Sequence, residues 1–398
     1  MLLRTVYPIL IDISRLFYRR LHRLLPTGID RVSQEYVRHY AYRARAVLSL
    51  DRFSAVLSAR DSAAAFDFLL DQHSPDFPTA GRLIAKACFC GWAGRQETEG
   101  AYVFNTGHAG LENRGYVSMW RRRGRPIFVI NDLIPITHPE YVGAGGRARH
   151  LARIHNTITM AHGIIAISHD TLDALQRFAD TAGLSLPPAV VAPLASGLPQ
   201  LQPQDRPFNE PYFVMLGTIE PRKNHWMLLQ LWRRLVETRG PAAPKLVVIG
   251  QRGWECENVV DLLERCEQLR GFVFELNCCS DQELITFLHH AQALLFSSFA
   301  EGYGLPLVEA LSLKTPVIAS NLPVFNEIAG DVPEYADPLD GKRWMDLIND
   351  YASPGSALRA AQLRRIGSFQ PTSWKEHFMA VDNFLGSLES LKRFGNDH

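Results

Sequence analysis

Glu301 and Glu309 stand eight positions apart, with Gly302, Gly304 and Pro306 between them. The run Ala293–Ser298 ahead of them is short and apolar and reads as a buried strand. Leu305–Leu313 behind reads as a helix opened by Pro306, whose missing N–H would be unpaired in a first turn anyway. Glu301 then falls in the strand-to-helix turn, and Glu309 about one turn inside the helix. The backbone N–H groups of Gly302, Tyr303, Gly304 and Leu305 would be free at that helix start, which is a ready place for an anion. Each carboxylate can accept bonds from a pair of hydroxyls beside it. An anion flanked by two polyol-binding acids has the outline of a nucleotide sugar. A pair of glutamates by itself is ordinary solvated surface, and it is the order of the parts that points to chemistry.

Cations follow another strand. The run Tyr212–Leu216 leads through Gly217 into Thr218-Ile-Glu-Pro-Arg-Lys-Asn-His225. Arg222 and Lys223 at a helix start would lie where a diphosphate could sit and would neutralise its oxygens. A lone Arg-Lys pair is more commonly an exposed basic turn. In the first half, Gly28 in Pro26-Thr-Gly-Ile-Asp-Arg31 precedes a helix expected over 32–42 and permits close backbone approach to a ligand. His108, in Asn105-Thr-Gly-His-Ala-Gly110, ends an apolar strand. Asn131 and Asp132 end the next one, and Asp132 reads equally as a group for an acceptor hydroxyl or as a cap of the following turn.

Phe299-Ala-Glu-Gly-Tyr-Gly-Leu-Pro-Leu-Val-Glu309 resembles the E-x7-E signature of glycosyltransferase family 4. Pro316-Val-Ile-Ala-Ser320 and Phe325-Asn-Glu-Ile-Ala-Gly-Asp331 follow that family too. The resemblance implies a GT-B fold, two Rossmann-like domains facing a cleft, with a C-terminal helix that crosses back to the first domain. It implies a retaining transferase in which Glu301 contacts the donor sugar, Glu309 the ribose, and Lys223 the diphosphate. His108 then matches the family histidine beside the donor sugar. Two departures stand out: a frequent arginine near the strand end is replaced by Thr218 or Ile219, and Asn131 occupies a position where many relatives have His. No Asp-x-Asp occurs, so no metal and no cofactor are expected, protein cations taking the metal's place.

The elements that must position these residues alternate strand and helix. Tyr212–Leu216, Lys245–Ile249, Phe272–Glu275, 293–297 and 316–319 read as strands, separated by helices over 225–238, 256–269, 282–290 and 305–313. That order implies a parallel sheet with helices on both faces. In the first half 9–13, 101–104, 126–130 and 163–167 fit a second such sheet. A polar, proline-rich stretch at 198–207 separates the halves, which gives domains over 1–200 and 208–370 and a long amphipathic helix in 371–398.

The chain has 398 residues, of which 46% are hydrophobic and 21% charged, ample for two cores. No apolar run reaches the ~20 residues that span a bilayer. Asp12 and Arg15 interrupt the N-terminal apolar run, so no signal peptide is expected. Cysteines 88, 90, 256, 266, 278 and 279 form no paired framework and read as reduced thiols of a cytoplasmic protein. Residues 1–200 hold 23 basic against 16 acidic side chains, and the remainder 19 against 25. Arg15, Arg19, Arg20 and Arg23 among Leu16, Phe17, Tyr18, Leu21, Leu24 and Leu25 read equally as a solvated face or as a contact for an anionic membrane surface or lipid diphosphate. No nucleic-acid module accompanies the charge.

The sequence thus points to a hexosyltransferase acting on a glycan or lipid-linked glycan acceptor in bacterial surface polysaccharide assembly. GDP-mannose is the favoured donor, on the likeness of Glu220–His225 and Glu301–Pro306 to mannosyltransferase-like members. A non-catalytic GT-B scaffold subunit and a GT-B sugar-nucleotide epimerase are the alternatives.

Overall fold

Side chains that alternate along a strand decide which face of a sheet they bury, and here both faces are apolar. In the second half Phe213 and Met215 of one strand join a core with Leu246, Val248, Leu228 and Trp232. Their neighbours Tyr212 and Val214 join another core with Val247, Leu294, Phe296 and Leu307 on the opposite face. Such strands demand helices on both sides, and the β-α order supplies them.

The computed structural model describes residues 8–50, 53–71, 76–89 and 100–395. Two parallel sheets result. The first holds β1 Ile9–Asp12, β2 Ala44–Leu50, β3 Phe53–Val56, β4 Tyr102–Asn105, β5 Arg125–Ile130, β6 Gly163–Ala166 and β7 Ala189–Val191, in the order β3-β2-β1-β4-β5-β6-β7. Only the β2–β3 pair is antiparallel. The second holds β8 Tyr212–Leu216, β9 Lys245–Ile249, β10 Val273–Leu276, β11 Leu294–Phe296, β12 Val317–Ser320 and β13 Glu334–Ala336, in the order β10-β9-β8-β11-β12-β13 and parallel throughout.

The chain divides into two compact units. One takes the described residues as far as Ile136, then Arg147–Leu194 and the stretch from Trp374 onwards. The other takes Thr137–Gly146 and Ala195–Ser373, so a short segment from the first half of the sequence belongs to the second unit. The expected helix over 256–269 is broken into Glu257–Arg265 and a single 3-10 turn at Glu267–Leu269. The helix expected over 32–42 starts earlier, at Gly28, because Thr27 and Asp30 form a reciprocal capping box there. Strands β2, β3, β7 and β13 were not among the expected ones. Cys90 lies outside the described residues, and Cys88, Cys256, Cys266, Cys278 and Cys279 are unbridged.

The C-terminal helix Trp374–Gly395 belongs to the first unit through specific polar locks. Asp382 accepts from the Tyr40 hydroxyl and from Arg43, each at 3.0 Å. His377 is buried, with Nδ1 3.1 Å from the Pro193 carbonyl and Nε2 3.0 Å from the Tyr36 hydroxyl. A carbonyl only accepts, so Nδ1 carries the proton and Nε2 receives the tyrosine O–H. Phe378 stacks on His39 at 3.9 Å and meets Tyr36 edge-on at 5.1 Å.

Phe378→Ala should therefore cost the first unit about 3–5 kcal/mol, the usual range for deleting a buried aromatic ring. Urea unfolding should show the loss in that unit, and limited proteolysis should cut near Ser373 sooner. Unchanged unfolding and unchanged cleavage would mean that the helix contributes little to the unit.

Candidate active site

Strand order alone marks one place in the second sheet. β8 is followed by β9 and β10 on one side, whereas β11 pairs on the other side of β8. The connections leaving β8 and β11 therefore diverge, and a crevice opens beyond their carboxyl ends. Both sequence motifs lie there: Gly217–Asn224 leaves β8 and Ser297–Gly304 leaves β11.

Backbone bonds tie the two loops together. The Phe299 amide donates to the Arg222 carbonyl at 2.9 Å. The Ser297 hydroxyl donates to the Lys223 carbonyl at 3.1 Å. Pro221–Lys223 forms one 3-10 turn and Asn224 takes a left-handed conformation, with φ 59°, before the helix His225–Arg239. Gly217 has φ 140°, and a Cβ there would lie 3.4 Å from Lys223 Cε, so the glycine leaves the lysine its path. Gly304 caps the helix Leu305–Ser312 at φ 119°, where an added Cβ would meet the Phe325 ring at 2.7 Å.

Between the loops four charges interlock. Glu301 receives Lys223 Nζ at 2.5 Å and the Ser298 hydroxyl at 2.6 Å on one oxygen, and pairs with Arg222 Nη1 at 2.7 Å through the other. Arg222 also reaches Glu220 at 2.6 Å and the Ala300 carbonyl at 2.6 Å. Lys223 Nζ lies 5.2 Å from the centre of the Phe296 ring. Burial alone would raise the Glu301 carboxyl, but Arg222, Lys223 and the bonds from Lys223 and Ser298 hold it down at about 2. Burial pulls the Lys223 ammonium below its usual value, and Glu301 opposes that pull. So both cations, not one, converge here despite the missing family arginine. Glu309 is buried within its helix, and Tyr303 is buried in the turn.

Several partners were not visible in sequence. Glu220 and Ser298 complete the cluster, and nothing in their spacing marked them. His138, Tyr141 and Phe299 stack in succession, with centroids 6.0 and 5.7 Å apart. The half-exposed Trp254 donates to the Tyr141 carbonyl at 3.1 Å. This aromatic shelf borders the Glu301 loop. His225 is buried beside Lys223, and neither of its ring nitrogens meets an acceptor or donor among the described residues. Burial, with Lys223 adding to it, pushes its imidazole down to about 3.

The remaining expected residues gather in the first unit. His108 has φ 58°, a left-handed backbone that a non-glycine residue seldom holds without reason. Its Nε2 lies 3.0 Å from the Val129 carbonyl and 3.2 Å from the Asn131 amide, so either neutral tautomer finds a partner. Burial, reinforced by His150 and Arg153, pushes it down to about 3. Asp132 accepts from the Ile134 amide at 3.0 Å, which is the turn-capping role. Gly28 is the first residue of the helix Gly28–Tyr40, whose Asp30 draws in Arg15 at 2.9 Å and Arg19 at 2.7 Å. Among the described residues, no three His, Cys, Asp or Glu side chains gather as a metal site.

Residues 200–333 match the family described as Glycosyl transferases group 1. The chain is 36% identical over 157 residues to the serotype-specific mannosyltransferase WbdA of Escherichia coli, covering 37% of this chain and 18% of that protein. It is 29% identical over 264 residues to the O-antigen chain mannosyltransferase B of Escherichia coli, 64% of each. Against these curated relatives the chain thus spans between about a fifth and two thirds of their length. The crystal structure of Anabaena HepE in complex with UDP and glucose superposes with a TM-score of 0.67 at 17% identity, over 96% of this chain and 100% of that one. The alpha,alpha-trehalose 6-phosphate synthase of Burkholderia multivorans gives 0.60 at 10% identity over 98% and 100%. The fold is accordingly GT-B.

Acidification should test the buried imidazoles. His108 and His225 sit near 3 and His377 is held by burial at about 4, whereas the unfolded chain binds these protons near the usual 6.5. Between these values the unfolded chain takes up protons that the folded chain refuses, so stability falls as pH falls, by up to about 1.4 kcal/mol per pH unit for each histidine. Urea unfolding from pH 6.5 to 5.0 should show that slope, and His377→Gln should flatten it by about one proton. A flat profile over that interval would contradict the burial of these rings.

Proposed function

We propose that the protein is a retaining glycosyltransferase that moves a hexose, mannose from GDP-mannose in the first instance, to a sugar hydroxyl of a surface polysaccharide or lipid-linked glycan. The observation that carries this reading is the Glu301–Lys223–Arg222 cluster at the β8/β11 crevice. The names of the mannosyltransferase relatives support mannose as the sugar transferred, and the match over 200–333 supports the reaction class.

The chemistry follows from charge. In the cluster two cations face two carboxylates, so the cations are already neutralised. A donor diphosphate competes with Glu301 for Lys223 and Arg222 and adds the backbone N–H groups of Gly302–Leu305. Glu301 has about four lone-pair positions, and Lys223, Arg222 and Ser298 engage three of them. A donor-sugar hydroxyl can take the fourth, and Glu309 the ribose. The acceptor oxygen then bonds to the anomeric carbon and gives its proton to an oxygen of the departing diphosphate, while the bond from the anomeric carbon to the phosphate oxygen breaks. Negative charge grows on the departing diphosphate, where Lys223 stabilises it most. His108, neutral and fixed, is the proposed neighbour of the donor sugar, with Gly28 and Gly217 on the donor side of this reading and Asn131 and Asp132 on the acceptor side. No cofactor or metal enters it. Unbridged cysteines suit a cytoplasmic location, where nucleotide sugars are available.

Kinetics with a panel of nucleotide sugars tests the proposal. Lys223→Ala should lower kcat about a hundredfold and weaken binding of the free nucleotide diphosphate, as expected on losing one preorganised electrostatic contact. Glu301→Ala should lower kcat, whereas Glu309→Ala should chiefly raise KM. Turnover should survive EDTA. Normal turnover in Lys223→Ala and Glu301→Ala alike would remove this crevice from catalysis.

An anionic membrane surface is the proposed peripheral contact. Arg15 and Arg19 are committed to Asp30, but Arg23 stands beside the Phe77 ring, near the exposed Tyr18, Leu24 and Leu25. No helix among the described residues is long and apolar enough to cross a membrane. Sedimentation with vesicles should require anionic lipid and weaken with salt, and Arg23→Glu should reduce it. Equal partitioning to neutral and anionic vesicles would return this patch to a solvated face.

A further inference from the structure

The second unit carries a cavity of about 390 Å³ at the end of its sheet away from the charge cluster. Pro211 and Gln292, the residues leading into β8 and β11, line it together with Arg206, Ser356, Arg359 and Leu363. β8 is five residues long, so this end of the sheet lies roughly 15–20 Å from the Lys223 end.

Two arginines share this cavity without an acid. Neither Arg206 nor Arg359 enters an ion pair among the described residues, although residues 201–398 hold 25 acidic side chains against 19 basic ones. Elsewhere in the unit Arg222, Arg252, Arg343 and Arg365 meet carboxylates, while Arg234, Arg239, Arg270 and Arg364 enter no ion pair among the described residues. What sets Arg206 and Arg359 apart is that they line one cavity together. The nearby Asp350 is engaged by the Ser356 hydroxyl instead. Arg359 Nε donates to the Gln292 carbonyl at 3.0 Å and Arg206 Nη2 to the Glu210 carbonyl at 3.4 Å. These bonds set the two guanidiniums, and among the described residues their other N–H groups meet no protein acceptor. Burial lowers the Arg359 guanidinium from its usual value, and the neighbouring Arg206 lowers it further. The Glu210 carboxylate lies within electrostatic reach of Arg206 but is paired with Lys245 at 3.0 Å, so the two like charges keep a positive surplus that favours binding of an anion. Ser356 caps the helix Ala357–Ser368 on the same wall, which adds the favourable end of a helix dipole. Pro211 and Leu363 give the cavity an apolar side.

We propose that this cavity is a second ligand site, separate from the β8/β11 crevice, which binds a soluble phosphomonoester carrying a compact organic group, such as a hexose phosphate. Two planar guanidinium forks match the oxygens of a dianion, and the apolar side accommodates the carbon skeleton. The volume is of the size that small-molecule sites occupy.

Calorimetric titration with glucose 6-phosphate, inorganic phosphate and glucose tests this. Glucose 6-phosphate should bind saturably to the parent protein, inorganic phosphate more weakly, and glucose not at all. Arg206→Gln combined with Arg359→Gln should weaken glucose 6-phosphate binding at least about tenfold and leave nucleotide diphosphate binding as in the parent. Arg206→Gln alone, at an exposed position, should already weaken it severalfold. Lys223→Ala should keep glucose 6-phosphate binding, which separates this site from the crevice. Absence of saturable binding to the parent, or parent-like affinity in both Arg206 variants, would overturn the site. Inorganic phosphate binding as tightly as glucose 6-phosphate would overturn its organic-ligand character.

Discussion

Charge neutrality inside a nearly dry crevice is the constraint on which the second unit depends. Lys223 and Glu301 are both buried deeply enough that either one alone would be a strongly destabilising, uncompensated charge. Each is tolerable only because the other, with Arg222, Glu220 and Ser298, stands within hydrogen-bonding distance. The arrangement sets the shape of two loops as well as their charge. Arg222 bonds the Ala300 carbonyl by its side chain and accepts from the Phe299 amide by its backbone, so the β8 and β11 loops form one rigid floor. A ligand that brings its own negative charge can replace the Glu301 contacts without moving that floor. This is preorganisation, with cations in place before the anion arrives.

Topology supplies the location and the residues supply the sign. Any parallel sheet in the order β10-β9-β8-β11-β12-β13 opens a crevice at β8 and β11, whatever chemistry follows. Its charge is set by a 3-10 turn at Pro221–Lys223 and a left-handed Asn224, which bring two cations to Glu301, and by Gly304, which starts the helix Leu305–Ser312 beside that loop.

The sequence was most legible where local rules and tertiary demands agree. Tyr212–Leu216 and Lys245–Ile249 were expected with the bounds they have, since strands buried on both faces read as unbroken apolar runs. The Gly-Tyr-Gly-Leu-Pro turn fixed the start of its helix because Gly304 and Pro306 each suit only a few backbone positions. Elsewhere the signal was tertiary. β7 and β13 are three residues long at sheet edges, too short for any period to show. β2 and β3 pair antiparallel, and the first of them, Ala44–Leu50, carries an arginine and a serine among apolar residues. The places of Glu301 in the turn and Glu309 in the helix were legible from spacing, but the pairing of Glu301 with Lys223 spans 78 positions, and only the sheet order brings them together. Nor could spacing show that Thr137–Gly146 packs with the second unit, because that depends on the stacking of Tyr141 on Phe299.

The first sheet repeats the topology and shows what happens when the same crevice is filled. β1 and β4 meet at its switch point, yet Arg15 packs over Gly107, so that a Cβ on the glycine would lie 2.7 Å from the arginine chain. Arg15 is in turn held by Asp30, which the capping box has buried. At the end of β1, Asp12 accepts from the Ser14 amide, the Ser49 hydroxyl and the Tyr116 hydroxyl. Burial raises its carboxyl, against these bonds. The cations and acids of this crevice are thus consumed by its own loops, leaving a neutral imidazole, His108, on a strained backbone as the polar group of the adjoining turn. An uncharged donor or acceptor suits a hydroxylated ligand as a cation suits a phosphate. The two units share one architecture, and the difference in what each can bind follows from which loop charges find partners within their own sheet.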